Sequence, residues 1–153
     1  MQYLLLIAAA AAADQLLKWL VIRFIGMLGE IPVIPGFFYL HVIPNNGIAM
    51  GMLSGYQGIV IAGTALIMAA LAVYIFIRRK TEPPAVLFVL SMIVGGGIGN
   101  IIDRIRLGYV VDYLDFRVWP YIFNFADICI VLGCFVLVAL VLLDSRGEKE
   151  KTE

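Results

Sequence analysis

Four apolar runs, each about as long as a membrane-spanning helix, take up most of the 153 residues of the chain. They cover roughly residues 3–25, 58–77, 85–105 and 122–143. A helix rises about 1.5 Å per residue, so about 20 apolar residues are needed to cross the hydrocarbon core of a bilayer. Hydrophobic residues make up 63% of the sequence and charged residues 14%, which is not the balance of a soluble domain. The sequence therefore predicts a single polytopic membrane domain over residues 1–153.

The first run also has features of a secretory signal peptide. A leucine-rich stretch is followed by six alanines and then by Asp14, and an alanine-rich stretch before a polar residue can be a cleavage site. However, no Lys or Arg precedes the run, and the apolar pattern continues past Asp14. We therefore expect an uncleaved first span.

The segment between the first two runs, residues 26–56, has a different character. Gly and Pro recur in it, and residues 37–42 are aromatic and strand-like. We predict a small extracytoplasmic β-rich segment that lies on the membrane interface. Residues 106–121 are interpreted as an outer loop in which Asp115 is solvated. The predicted fold class is an all-α integral membrane protein with four transmembrane helices and this one β-rich segment.

Basic residues in the short connections predict the orientation of the chain, because Lys and Arg are enriched in cytoplasmic loops. One group lies between the second and third runs, and another follows the fourth. The residues are Arg78, Arg79 and Lys80 in the first group, and Arg146, Lys149 and Lys151 in the second. Four spans bring both groups to one side, so both termini are expected to be cytoplasmic and segments 26–56 and 106–121 to face outward.

Polar and ionisable residues inside the apolar runs are the most informative for function. They are Asp14 and Lys18 in the first run, Asn100, Asp103 and Arg104 in the third, and Asn124 and Asp127 in the fourth. A charge near the bilayer centre costs about 2.5–3.5 kcal/mol on insertion scales. Within each run the spacing is i, i+3 or i, i+4, which places the members on one helix face. Together with Asp112, they are predicted to converge in one layer near the outer headgroups.

These residues have more than one interpretation. Asp14 with Lys18, and Asp103 with Arg104, are candidates for structural ion pairs that fix helix packing. A proton or ion pathway explains buried carboxylates equally well. The third interpretation is hydrolysis by two carboxylates that share one proton, because like charges at close range cannot both ionise easily. The ionised acid would then activate water while the protonated one polarises the scissile carbonyl.

Other chemistries have less support in the sequence. The chain has one histidine, His41, and no cysteine cluster, so we expect no metal site and interpret His41 as a hydrogen-bonded surface residue. Ser54 and Ser91 lack a plausible histidine base for a serine triad. The net charge is zero and no basic stripe exists, which argues against a nucleic-acid partner, and none is predicted. No cofactor is predicted.

Five short motifs carry a resemblance to a known family. The sequence reads DQLLK at 14–18, NNGIAMG at 45–51, GNIIDR at 99–104, GYVVDY at 108–113 and FNFAD at 123–127. In this order they resemble the motifs of the lipoprotein signal peptidases (signal peptidase II), and the resemblance runs from end to end of the chain. Ile48 and Met50 replace the family's more common Ala and Phe, Pro44 precedes the first Asn, and the stretch 112–127 is short. These departures affect the expected shape of the outer loop and the expected substrate gating.

The resemblance implies a fold and an activity. The family has four helices and an extracytoplasmic β-cradle, which would correspond to residues 26–56. It implies an intramembrane aspartyl endopeptidase of the bacterial cytoplasmic (inner) membrane, with its active site near the outer face. The enzyme would remove the signal peptide from diacylglyceryl-modified prolipoproteins, cleaving before the lipidated cysteine. Its partners would be that substrate, membrane lipid and inhibitors of the globomycin type.

The same resemblance implies roles for individual residues. Asp112 and Asp127 would be the catalytic dyad. Substrate binding or orientation of the dyad would fall to Asn45, Asn100, Arg104 and Asn124, while Asp14, Lys18 and Asp103 would support the site and the helix bundle.

Overall fold

The computed structural model describes residues 1–46 and 57–149, with the backbone alone for 144–149. The predicted motif at 45–51 therefore lies outside the described residues from Gly47 onward. The described residues form four helices: α1 (Gln2–Phe24), α2 (Gln57–Arg78), α3 (Pro84–Leu107) and α4 (Phe125–Lys149). All four are long and apolar enough to span a membrane, counting Phe125–Leu143 of α4. The prediction of a four-helix membrane protein is confirmed.

Helix α3 is the centre of the bundle. It packs against the other three helices, and 61% of its most apolar stretch is buried, against 11% for α2. Glycines make this close packing possible, because without a side chain they let helix backbones approach closely. A Cβ atom added to Gly95 would lie 2.5 Å from the Cβ of Ala10, and one added to Gly96 would lie 2.7 Å from the carbonyl oxygen of Ala126.

The apolar core lies in the half of the bundle where α3 begins. Leu87 and Val94 of α3 are almost fully buried there, against Ile7 of α1 and Ile75 of α2. Of the buried polar side chains in the described residues, only Ser91 belongs to this half, and its hydroxyl donates to the carbonyl of Leu87. The other buried polar groups are in the half that adjoins the sheet.

Four antiparallel strands form a sheet at the opposite end, where α1 and α3 end and α4 begins. The strands are β1 (Glu30–Ile34), β2 (Phe38–Asn45), β3 (Val110–Phe116) and β4 (Ile122–Phe123), and they lie in the order β1-β2-β3-β4. The predicted β-rich segment therefore exists. It is completed, however, by strands from a second part of the chain.

The interpretation of residues 106–121 as a loop was wrong. β3 pairs with β2 over most of its length, and Ile43 lies opposite Asp112. The valines and tyrosine of β3 also pack against the end of α1, where Val21, Val42 and Val111 form a small buried cluster. Strand pairing and side-chain packing together stabilise β3, whose short sequence alone does not predict a strand. The fourth apolar run also begins in the sheet, because residues 122 and 123 form β4.

Asp115 was expected to be solvated, and this too was wrong. It lies on β3 opposite Tyr39 and is 6% exposed. The neighbouring strands cover its side chain, and its carboxylate contacts His41 and Arg117.

Candidate active site

Two amide side chains hold the carboxylate of Asp112, which lies on β3. The Nδ2 of Asn45 on β2 donates to its Oδ2 at 2.7 Å, and the Nδ2 of Asn124 donates to its Oδ1 at 2.7 Å. The residue is 1% exposed. Burial first, and the negative charge of Asp127 second, raise the pKa of Asp112 to about 7, although the two amides act in the opposite direction. Asp112 can therefore hold a proton near neutral pH.

Asp127 is placed by the start of α4. Asn124 precedes the helix, and its backbone N–H donates to Asp127 Oδ2 at 3.1 Å while its Oδ1 accepts the N–H of Asp127 at 3.0 Å. This reciprocal pair has the logic of a capping box, in which two side chains satisfy each other's backbone donors at a helix N-terminus. A negative charge in the first turn is also favoured by the helix dipole.

The two N–H groups between them are satisfied by other elements. Phe125 donates to the hydroxyl of Tyr113 at 3.3 Å, and Ala126 donates to Asp14 Oδ1 at 3.1 Å. Side chains from β3 and α1 thus help fix the position of α4, and with it the position of Asp127.

Asn100 of α3 connects the two aspartates. Its Nδ2 donates to Asp127 Oδ1 at 2.9 Å, and its Oδ1 accepts from Asn124 at 3.2 Å and from Lys18 at 2.9 Å. A lysine ammonium can only donate, so Lys18 determines which end of the Asn100 amide faces Asp127. Asp112 and Asp127 are therefore linked through the two asparagines, with every amide orientation fixed.

Lys18 is the buried cation of this layer. Its Nζ lies 2.8 Å from Asp14 Oδ2 and 2.8 Å from Asp103 Oδ2, and all three side chains are at most 3% exposed. Asp103 Oδ2 also accepts the N–H of Val111 at 3.1 Å, which ties α3 to β3. The predicted Asp14–Lys18 pair is present, and Asp103 joins it from another helix.

Arg104 lies one residue further along α3 and is half-buried. Its Nη1 donates to the carbonyl of Asn100 at 3.3 Å, and its charge acts on the carboxylates of Asp127 and Asp112. The structure therefore brings all nine predicted site residues into one connected layer. They are Asp14, Lys18, Asn45, Asn100, Asp103, Arg104, Asp112, Asn124 and Asp127.

Gln15 belongs to this layer and was missed as a site residue. Its Nε2 donates to Asp103 Oδ1 at 2.9 Å and to the carbonyl of Gly99 at 3.1 Å. Its place beside Asp14 in an otherwise apolar run was the available signal. Gln15 holds α1 to α3 at the level of the ion pairs.

A sequence model of the family described as signal peptidase (SPase) II matches residues 6–143. The chain belongs to the signal peptidase II family. Among curated members, the lipoprotein signal peptidase of Desulfitobacterium hafniense (strain DSM 10664 / DCB-2) is 42% identical over 142 residues, which cover 93% of each chain. That of Clostridioides difficile (strain 630) is 39% identical over 143 residues, covering 93% of this chain and 95% of the relative.

Two solved structures of bacterial membrane enzymes share the fold. A bacterial membrane enzyme determined by the in meso method at 2.3 Å superimposes with a TM-score of 0.83 at 31% identity, covering 97% of this chain and 91% of the other. A second, at 1.9 Å, gives a TM-score of 0.79 at 32% identity, covering 93% of this chain and 92% of the other. The four helices and the sheet of this signal peptidase II family member therefore follow a known membrane-enzyme fold.

Proposed function

We propose that the protein is an aspartyl endopeptidase that removes signal peptides from diacylglyceryl-modified prolipoproteins, cleaving before the lipidated cysteine. The observation that carries the proposal is the pairing of Asp112 and Asp127 in different surroundings within one hydrogen-bonded layer. Asp112 is buried with a pKa of about 7, whereas Asp127 lies in the first turn of α4. Two carboxylates that differ in this way can act as acid and base at the same pH.

In the proposed reaction, ionised Asp127 takes a proton from a water molecule, and the water oxygen attacks the scissile carbonyl carbon. Protonated Asp112 donates a hydrogen bond to the carbonyl oxygen as negative charge develops on it. When the tetrahedral intermediate collapses, the C–N bond breaks and Asp127 returns its proton to the leaving amine. The products are the carboxyl terminus of the signal peptide and the free amino group of the lipidated cysteine.

The amides prepare the dyad for this reaction. Asn124 donates to Asp112 and Asn100 donates to Asp127, so both carboxyl groups keep their orientation without substrate. Asn45 on the sheet and Arg104 on α3 are the remaining polar side chains that we assign to binding the peptide backbone near the dyad. The supporting roles of Asp14, Lys18 and Asp103 follow from the ion pairs that join α1 to α3.

The proposal includes a location. The chain would be a multi-pass protein of the bacterial inner membrane with both termini in the cytoplasm and the sheet on the outer face. The lipidated cysteine would then lie at the headgroup level of the outer leaflet, next to the layer that contains the dyad. Globomycin-type cyclic peptides would compete with substrate for the same site.

The test is cleavage of a diacylglyceryl-modified prolipoprotein by purified protein in detergent or lipid. We expect wild type to cleave it, and Asp112→Asn and Asp127→Asn each to lose activity while remaining folded. Asp115→Asn is the matched control, because Asp115 lies on the same strand as Asp112 but faces away from this layer toward His41 and Arg117. It should cleave like wild type, and globomycin should inhibit it equally.

Full activity in either dyad variant would refute the mechanism. No cleavage by folded wild type on a properly lipidated substrate would refute the activity itself, and an ion pathway would then be the better explanation. An ion pathway would need polar side chains through the whole bundle. In the described residues, the half of the bundle where α3 begins has an apolar core instead.

A further inference from the structure

We infer that the sheet carries a divalent transition-metal site formed by Glu30, His41 and Asp115, outside the layer of the dyad. The three ligand atoms come from three adjacent strands and lie within 4.8 Å of one another. Glu30 is the direct partner of His41 across β1 and β2, and Asp115 reaches them from β3. The sequence led us to expect no metal site, because the chain has one histidine and no cysteine cluster. The three residues are distant in sequence and meet only through strand register.

The spacing of the ligand atoms is compatible with a bound metal ion. His41 Nδ1 lies 3.4 Å from Asp115 Oδ2 and 3.7 Å from Glu30 Oε2. Two ligands that each bind zinc at about 2.0–2.1 Å in tetrahedral geometry are about 3.4 Å apart. The two separations that involve His41 are close to that value, and the two carboxylates lie within 4.8 Å of each other. Side-chain adjustments would therefore place all three atoms around one ion.

The chemistry of the ligand set selects the class of metal. One imidazole and two carboxylates suit Zn²⁺ and its neighbours better than Ca²⁺ or Mg²⁺, which prefer oxygen ligands only. Two carboxylates would neutralise the charge of a divalent ion. With three protein ligands, the fourth position of a tetrahedral ion would be filled by water.

The two carboxylates of this site already bind a cation, the guanidinium of Arg117. Arg117 would therefore compete with a metal ion for them. Its guanidinium contacts Glu30 Oε2 and lies 3.3 Å from Asp115 Oδ2, which are the oxygens proposed to bind the metal. The Arg117 side chain is 40% exposed and can therefore swing into solvent when a metal arrives. Metal affinity would then be set by exchange between the guanidinium and the ion.

The experiment is a titration of the purified full-length protein, first treated with chelator, with Zn²⁺ by calorimetry and with Co²⁺ by visible absorption. We expect one Zn²⁺ per chain and the absorption bands of tetrahedral Co²⁺. Binding should be lost in His41→Gln and in Asp115→Asn, and should be severalfold tighter in Arg117→Gln. Asp127→Asn should bind Zn²⁺ like wild type, which separates this site from the carboxylates of the dyad.

Two results would overturn the inference: no stoichiometric Zn²⁺ binding by wild type, or binding that persists in both His41→Gln and Asp115→Asn. Thermal unfolding in the presence of chelator shows whether each variant is folded. If either variant is not, Glu30→Gln serves in its place with the same expectation. The result is independent of the proposed peptidase activity, because none of these measurements uses a prolipoprotein.

Discussion

Two clusters in this molecule each contain one basic side chain and two carboxylates, but their surroundings differ. In the buried cluster, Lys18 bridges Asp14 and Asp103, and the three side chains are 0–3% exposed. In the sheet cluster, Arg117 bridges Glu30 and Asp115, and the exposed fractions are 40%, 38% and 8%. Each therefore consists of one cation between two carboxylates, and the main difference is access to water.

That difference determines what each cluster can do. Buried charges must be compensated by direct partners, since an unpaired ion in a region of low dielectric is costly. The carboxylates of the buried cluster accordingly accept further hydrogen bonds, from the N–H of Ala126 to Asp14 and of Val111 to Asp103. In the sheet cluster Arg117 and Glu30 are exposed, so that cluster loses little when the guanidinium leaves. It is therefore the cluster that can exchange its cation, whereas the buried one fixes the helices.

The largest effect is expected from removing the buried cation. Lys18→Met leaves two carboxylates without their counter-charge and leaves Asn100 without the donor that fixes its amide. Removing one partner of a buried ion pair costs about 3–5 kcal/mol. We expect an SDS titration to show a loss of this size in the free energy of unfolding, with cleavage activity also strongly reduced.

Lys18→Arg is the control, because it keeps the charge in a larger and differently shaped group. It should retain part of the stability that Lys18→Met loses. If Lys18→Met unfolded at the wild-type SDS concentration, the buried ion pairs would not be what joins α1 to α3.

A second effect tests the packing around the same cluster. A Cβ atom at Gly99 would collide with the carboxylate of Asp14. Overpacking of a closely fitted interior costs about 1–3 kcal/mol, so Gly99→Ala should destabilise by that amount. Gly63→Ala on α2 is the matched control, because a Cβ atom there meets nothing within 4 Å. Alanine is the better helix former and should leave the stability of the Gly63 variant unchanged or slightly higher. Equal losses in both variants would contradict the close fit.

The buried cluster was far easier to predict from sequence than the sheet cluster. Asp14 and Lys18 are spaced i, i+4 in an apolar run, so the residues and their shared face can be read directly. The contact of Lys18 with Asp103 depends on how α1 docks on α3, which spacing within one run cannot give. The sheet cluster depends on the pairing of β2 with β3, and β3 was taken for a loop.

The third prediction concerns Asp112 and Asp115, which lie on the same strand. Asp112 is next to the buried cluster and Asp115 belongs to the sheet cluster. Burial first, and the charge of Asp127 second, raise the pKa of Asp112 to about 7. Asp112 must be protonated in the proposed mechanism, so kcat/KM should fall by about tenfold per pH unit above about pH 7. A pH–rate profile of wild type and Asp115→Asn should show the same fall in both. A flat profile to pH 9, or a fall only in wild type, would contradict the role of Asp112.

The raised pKa also has a consequence for stability. The folded state of Asp112 binds its proton more tightly than the unfolded state, whose pKa is near the ordinary 3.8. Its contribution to stability is therefore fully present below about pH 4 and is lost as the pH rises through about 7. Asp112→Asn should remove this part of the pH dependence, which unfolding titrations at pH 4 and pH 8 would detect.

The smallest effect is expected from removing the cation of the sheet cluster. Arg117→Met deletes the bridge between Glu30 and Asp115 and the contact of the guanidinium with the ring of Tyr39. The backbone N–H of Arg117 still donates to the carbonyl of Phe37. The residue before β2 and the residue after β3 therefore stay joined. Because Arg117 and Glu30 are exposed to solvent, the unfolding midpoint should fall only slightly at low ionic strength, and the difference should vanish at high salt. The loss in Lys18→Met should be the same in both buffers. An Arg117→Met loss as large as that of Lys18→Met, or one insensitive to salt, would mean that access to water does not separate the two clusters.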